Sequence, residues 1–240
     1  MSITSGGKRF FISWDVGGWN CDHNAKSRDA IVILNEKGDL LGRAWRGSLR
    51  LSINEAHNAR EWMAALFGYC GTNFPDDCED VVMGIDTPLG FSDEFRSLLG
   101  RGLPVDSLGE SQTNPYLYRA TERFLFARGI DPLSPIKDMI GSQATKGMHV
   151  LARFAPIIAS CGVWTDGLGF RAIEAYPSAS KRSAPFMKRL EGRPDLGDDD
   201  KNDAFICAMI ARLFCREPAS LEAPGPEIST SEGWIWFPKP

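Results

Sequence analysis

The run Asp80-Val81-Val82-Met83-Gly84-Ile85-Asp86 is the strongest constraint on the fold of this chain. Five consecutive positions without a polar side chain do not alternate, so both faces of such a strand must be covered, as in the centre of an α/β sheet. The run stops at Thr87-Pro88-Leu89-Gly90, a turn composition, which leaves Asp86 at the carboxyl end of the strand. An earlier strand, Arg9-Phe10-Phe11-Ile12-Ser13-Trp14-Asp15, ends the same way, with Asp15 before Val16-Gly17-Gly18. Ligand sites in open α/β sheets gather at these carboxyl ends.

Between the two strands, Ala30 to Leu34 and Leu40 to Trp45 read as strands joined by the hairpin turn Asn35 to Asp39. Ile53 to Tyr69 follows with helical periodicity, capped by Ser52 or Asn54. Residues 92–160 are mainly helical and loop-rich, with the clearest helical stretches at Tyr116 to Arg128 and Ile136 to Ser160. Arg171 to Tyr176 returns to strand, and a last helix starts near Asp199. The segment 217–240 is rich in Pro, Ser and Glu but ends in Trp234-Ile235-Trp236-Phe237, which argues for docking on the core. The expectation is one domain over 1–240, an α/β fold with a mixed sheet, helices on its flanks and a helical insertion at about 92–160.

Wound at about 100° per residue, the last helix puts Asp203 within roughly 60° of Asp199, Ile206, Cys207, Ile210 and Phe214. A carboxylate on a core-facing stripe calls for a partner or a cation. Asp199 shares the face, but at a helix start a capping role accounts for it equally well. Glu174 adds a fourth acid in the later strand. Turn chemistry or solvation explains any one of the four alone. Converging carboxylates repel one another, and oxygen-only donors select hard Mg²⁺ or Mn²⁺. Two such ions about 3.5–4 Å apart can activate a water and stabilise the leaving oxygen of a phosphodiester.

The ordered blocks Asp15-Val16-Gly17-Gly18-Trp19, Gly84-Ile85-Asp86-Thr87-Pro88-Leu89-Gly90-Phe91, Glu174-Ala175-Tyr176-Pro177 and Asp199-Asp200-Lys201-Asn202-Asp203-Ala204 resemble the motifs of the family catalogued as domain of unknown function 429. That family is regarded as predicted nucleases of RNase H-like fold, and the resemblance spans most of the chain. It implies a five-stranded mixed sheet, with three antiparallel strands, a helix and two further strands, and flanking helices that bring in the last acid. It also implies Asp15, Asp86 and Asp203 as metal ligands and catalytic residues, with Glu174 the fourth acid. Arg119-Ala120-Thr121-Glu122 is similar to an Arg-x-x-Asp block of the family, with Glu in place of the acid. Arg119 is then either a contact to substrate phosphate or half of a helix salt bridge, and the role of Glu122 is open. Lys146, in Thr145-Lys146-Gly147-Met148-His149, is either a phosphate-reading cation beside a proton-shuttling His149 or part of a solvated turn. Lys181, beside Arg182, is a third candidate for phosphate.

The chain has 240 residues and a net charge of −4, so a nucleic-acid substrate needs a local basic patch rather than the whole surface. Six cysteines form no C-x-x-C pair, which disfavours a zinc framework. Met1 to Arg9 lacks the apolar run of a signal peptide and no stretch is long enough to span a membrane, so a cytoplasmic location is expected. A metal-dependent nuclease on DNA or RNA competes with two other readings. Asp15-Val16-Gly17-Gly18 is also similar to the phosphate loop of sugar kinases and actin-like ATPases. A regulatory module whose acids hold a structural ion is the third.

Overall fold

In the computed structural model, residues 8–240 are described, and the part of the polar opening segment from Met1 to Gly7 lies outside them. In chain order the elements are β1 (Lys8–Asp15), β2 (Asp29–Leu34), β3 (Trp45–Gly47), α1 (Arg50–Glu55), α2 (Ala59–Tyr69), β4 (Cys78–Asp86), α3 (Asp93–Arg101), α4 (Ala120–Phe126), α5 (Gly141–Phe154), β5 (Ile157–Ser160), β6 (Val163–Thr165), β7 (Phe170–Ala175), α6 (Pro177–Ser180), α7 (Ala184–Leu190), α8 (Asp199–Arg216) and β8 (Ile235–Trp236). The fold is α/β, a mixed sheet flanked by helices. Its strand order is β3-β2-β1-β4-β7-β6-β5, with β8 also paired to β7. β2 runs antiparallel to its neighbours β1 and β3, whereas β4 runs parallel to β1 and β7 parallel to β4.

The sheet has eight strands rather than the expected five. The additional ones are the β5–β6 pair and β8, which pairs with Glu174 and Ala175 just beyond the stretch of β7 that β6 occupies. The strand expected over Leu40 to Trp45 is reduced to one bridge, Leu34 to Leu40, and to the three residues of β3. Gly42 is the reason. Its φ of 63° turns the chain, a Cβ there would meet the Cys70 carbonyl oxygen at 2.1 Å, and the next amide, Arg43, donates to that carbonyl. The helix expected over Ile53 to Tyr69 is broken, because Ala56 is extended and Asn58 starts α2 by accepting from the Glu61 amide. Ile136 to Ser160 is helical only as α5. Pro156 cannot supply the amide a helix would need, Ala155 leaves helical geometry, and the chain continues as β5. Tyr116 to Arg128 shrinks to α4, because the Asn114 side chain holds a turn by accepting from the Tyr116 amide and the helix starts only where the Glu122 carboxylate accepts from the Arg119 amide.

Strand alternation sorts the core into two layers. Ile12, Trp14, Met83 and Ile85 face α2 and α5, where Trp62 stacks on Phe154 at 5.3 Å. Phe11, Val82, Ile173 and Ala175 face α8 and the tail, where Phe214 meets Trp236 edge-on at 4.8 Å. α8 lies directly on β4 because position 84 has no side chain. A Cβ on Gly84 would stand 2.4 Å from the Cys207 carbonyl oxygen. Gly84→Ala therefore pushes α8 off the sheet, and an unfolding titration is expected to show a loss of about 1–3 kcal/mol, the range for overpacked cores. Unchanged stability would mean that the helix is not seated there.

Candidate active site

Asp15 and Asp86 are register partners at the carboxyl ends of adjacent parallel strands, so their side chains share one face. They follow Phe11 and Val82 by an even number of residues, which makes it the face packed by α8. Asp203 lies one helical turn before Cys207, the residue seated on Gly84, and that contact brings it to the same end of the sheet. Removal from water raises the carboxyl of Asp15 well above its usual range, and the neighbouring Asp86, Asp200 and Asp203 raise it further. Burial pushes Asp86 up to about 8, reinforced by Asp203 and Glu174 and opposed by Lys181. Lys181, at the end of α6, donates to Asp203 at 2.6 Å.

The acids in the first turn of α8 divide by contact. Asp198 is the cap, accepting from the Lys201 amide at 3.2 Å. Asp199 is exposed. Asp200 is half-buried, pairs with Arg46 of β3, and is among the charges that raise Asp15. Its position inside the run Asp198-Asp199-Asp200 gave no hint of this role.

Glu174 belongs to the opposite layer. Its register partner is Ile85, which faces α2 and α5, one residue before Asp86. There the Glu174 carboxylate is 2.6 Å and 2.8 Å from the two Nη atoms of Arg119, and it accepts from the Leu89 amide at 2.9 Å. Arg119 is 1% exposed and also pairs with Glu122 through Nε at 2.8 Å. Burial raises the Glu122 carboxyl while Arg119 pulls it down. The Arg119 guanidinium is thus spent on two carboxylates and on the Glu232 carbonyl, out of reach of a substrate phosphate. The salt-bridge alternative describes it.

Lys146 is also fully buried, and not in a turn but inside α5. Gly147 does not break that helix. It permits close approach to β4's end, where a Cβ would meet the Thr87 methyl at 2.7 Å. The Lys146 ammonium stands 2.7 Å from each oxygen of Asp29, which is itself fully buried. Asp29 accepts from Trp14 Nε1, the Gly17 amide and the Leu49 amide. With the Gly18 amide donating to Ser27 Oγ and the Trp19 amide to Ser142 Oγ, the loop after β1 has its donors engaged within the protein. A phosphate loop needs such amides free. His149 is exposed and its ring packs edge-on against Trp19, 5.8 Å between centroids.

The three acids at the sheet end offer oxygen donors only, the set that suits a hard divalent cation. As they stand they are not drawn into a closed ligand cluster. Among the described residues no group of three or more His, Cys, Asp or Glu side chains is gathered to hold an ion, and Lys181 supplies the positive charge next to Asp203. Among the described residues no helix is long and apolar enough to cross a membrane. No family model, no curated protein and no solved structure matches the chain.

Proposed function

We propose that this chain is a metal-dependent nuclease of RNase H-like architecture that hydrolyses phosphodiester bonds of DNA or RNA in the cytoplasm. The observation that carries the reading is the register match of Asp15 and Asp86 at the ends of parallel central strands, on the face to which α8 brings Asp203. The order β3-β2-β1-β4-β7, antiparallel up to β1 and parallel from there, supports it, since it is the arrangement that the motif resemblance implies. Asp15, Asp86 and Asp203 would hold Mg²⁺ or Mn²⁺, which supplies activation of water and charge for the leaving oxygen. The raised carboxyls fit such a role, because a site that strains against its own negative charge gains most from a cation.

The remaining residues position and bind. Lys181, half-exposed beside Asp203, is the cation available to a non-bridging phosphate oxygen. Glu174 holds the Leu89 amide and so fixes the loop that follows Asp86. Asp29 and Lys146 do the same for the loop that follows Asp15. The engaged amides of that loop favour the nuclease over a kinase-like phosphotransferase.

Purified protein is expected to cleave at least one of single-stranded DNA, duplex DNA, single-stranded RNA and duplex RNA with Mn²⁺ or Mg²⁺, and none with EDTA. Asp15→Asn and Asp203→Asn should each lower the rate by about 10²-fold or more, the scale of losing one charge-stabilising group. Cleavage that survives both substitutions, or phosphorylation of a small molecule by ATP without cleavage, would remove the proposal.

A further inference from the structure

Beside the two strand-end acids lies a cavity of about 180 Å³ whose wall includes Asp15, Asp86 and Glu174, the last held by Arg119. Its other walls are flat and apolar, from Pro132, Leu133 and Ile140 on one segment and Tyr176 at the end of β7. The Tyr176 hydroxyl donates to the Asp131 carbonyl at 3.2 Å and ties that segment to the sheet. Besides the acids, two uncharged polar groups interrupt the apolar lining. Gln143 is half-buried on the first turn of α5, and Thr87 is 5% exposed with a hydroxyl that has no hydrogen-bond partner. An orphaned buried hydroxyl in a cavity wall is a group waiting for a ligand, since a buried donor left unpaired loses the hydrogen bonds it made to water.

The segment bears other signs of a built pocket. Met139, next to Ile140, has φ of 58° without being glycine, a strained backbone of the kind that collects at binding sites. Met139 is 88% exposed and Leu133 50%, so apolar surface stands open at this rim. Among the described residues no Lys or Arg lines the cavity, and three acids do, Asp15, Asp86 and Glu174, so it is not a phosphate site. At about 180 Å³ it is smaller than the roughly 300–1,000 Å³ of pockets for drug-sized ligands, which limits it to one neutral ring system.

We propose that this cavity receives a single nucleobase of an unpaired strand, stacked between its apolar walls and read by Thr87 and Gln143. The inference rests on the nuclease reading, because it is the phosphodiester at Asp15 and Asp86 that delivers the neighbouring base to the cavity. A base in a duplex is stacked and paired, so it enters such a pocket only after extrusion, whereas a base in a single strand, loop or mismatch enters freely. The substrate class is therefore single-stranded or locally unpaired nucleic acid. Sequence tolerance is expected, as stacking accepts every base and two polar groups discriminate weakly.

The test uses the full chain with Mn²⁺ and one fluorescein-labelled strand, as DNA and as RNA. The strand is presented alone, annealed to its complement, and with one abasic site. The single strand should be cut with kcat/KM about tenfold or more above the duplex, and the bond beside the abasic site should be cut about tenfold more slowly than its neighbours. Leu133→Trp, which fills the mouth from a half-exposed position, should bring the single strand down to the duplex rate with little change in Tm. Thr87→Val keeps the shape and should alter the preference among the four bases. Equal cleavage of single strand and duplex, or normal cutting beside the abasic site, would overturn the pocket and leave the nuclease reading intact. Were no strand cleaved, the nuclease reading would fall, and anisotropy of the labelled strands would decide the pocket. Tighter binding of the single strand, weakened by Leu133→Trp, upholds it, and its absence overturns it.

Discussion

Asp86→Asn is expected to abolish divalent-dependent cleavage and to raise the melting temperature of the metal-free protein at neutral pH. The two effects share one cause. Asp86 is held out of water beside Asp203 and Glu174, which brings its carboxyl up to about 8, against about 3.9 in an unfolded chain. The unfolded chain therefore gives up this proton as pH rises past 4, while the folded one keeps it until about 8. Between those values the unfolded state binds fewer protons, so stability falls as pH rises, by about 1.4 kcal/mol per pH unit for a fully shifted group. The contribution is complete below pH 4 and gone above pH 8. Asparagine does not titrate, and at pH 7 the variant should gain on the order of 2–4 kcal/mol over the wild type. Asp15, raised for the same reasons, leaves a residual slope of the same sign. Cleavage should fall by about 10²–10³-fold. Melting curves in EDTA from pH 5 to 8, run beside the Mn²⁺ assay, check both halves. A variant that melts lower and still cleaves would take Asp86 out of the site. Mn²⁺ should raise the Tm of the wild type and leave that of Asp86→Asn nearly unmoved, since only a cation that binds the folded state stabilises it.

Glu174→Ala should have the opposite signature, a large loss of stability. The substitution strips the fully buried Arg119 of one of its two carboxylates and leaves the Leu89 amide without an acceptor. Breaking a buried pair from one side costs about 3–5 kcal/mol. Glu174→Gln keeps an oxygen for the Leu89 amide and should lose less. Assayed well below its melting point, Glu174→Gln should keep far more activity than Asp86→Asn, because the Glu174 carboxylate is engaged by Arg119 and the Leu89 amide and acts on Asp86 as a neighbouring charge and through the loop from Thr87 to Gly90. A Glu174→Gln protein with wild-type stability and no activity would instead make Glu174 a ligand.

These two residues also show how far the chain could be read without coordinates. Asp86 was legible because an apolar run ending at Thr87-Pro88 marks both a central strand and its carboxyl end. Asp203 was legible because a 3.6-residue period predicts which face a helix buries. The side of the sheet taken by Glu174 was not, since β7 carries small or apolar residues on both faces and alternation gives no sign of which is which. Only its register against Ile85 decides. Lys146 in a turn, and the open choice between phosphate and salt bridge at Arg119, have a related cause. A buried cation is recognised by its partner, and Asp29 lies 117 residues from Lys146, Glu174 55 residues from Arg119. The broken strand and helices follow from local events, at Gly42, Asn58 and Pro156, whose strength depends on what the chain meets there.

The parallel pairing of β1 with β4, and of β4 with β7, has a kinetic consequence. Parallel neighbours cannot be joined by a tight hairpin, so the entropy of closing long loops must be met before these contacts return any energy. The antiparallel β1–β2 pair needs a shorter connection than either parallel pair and involves Asp15 alone of the three acids. Asp86 joins it only when β4 has docked, and Asp203 only when α8 has settled on Gly84. Three acids that raise one another's carboxyls are thereby expected to meet only after the long-range pairings have formed. The grouping of Asp15, Asp86 and Asp203, on this view, is what the chain completes last.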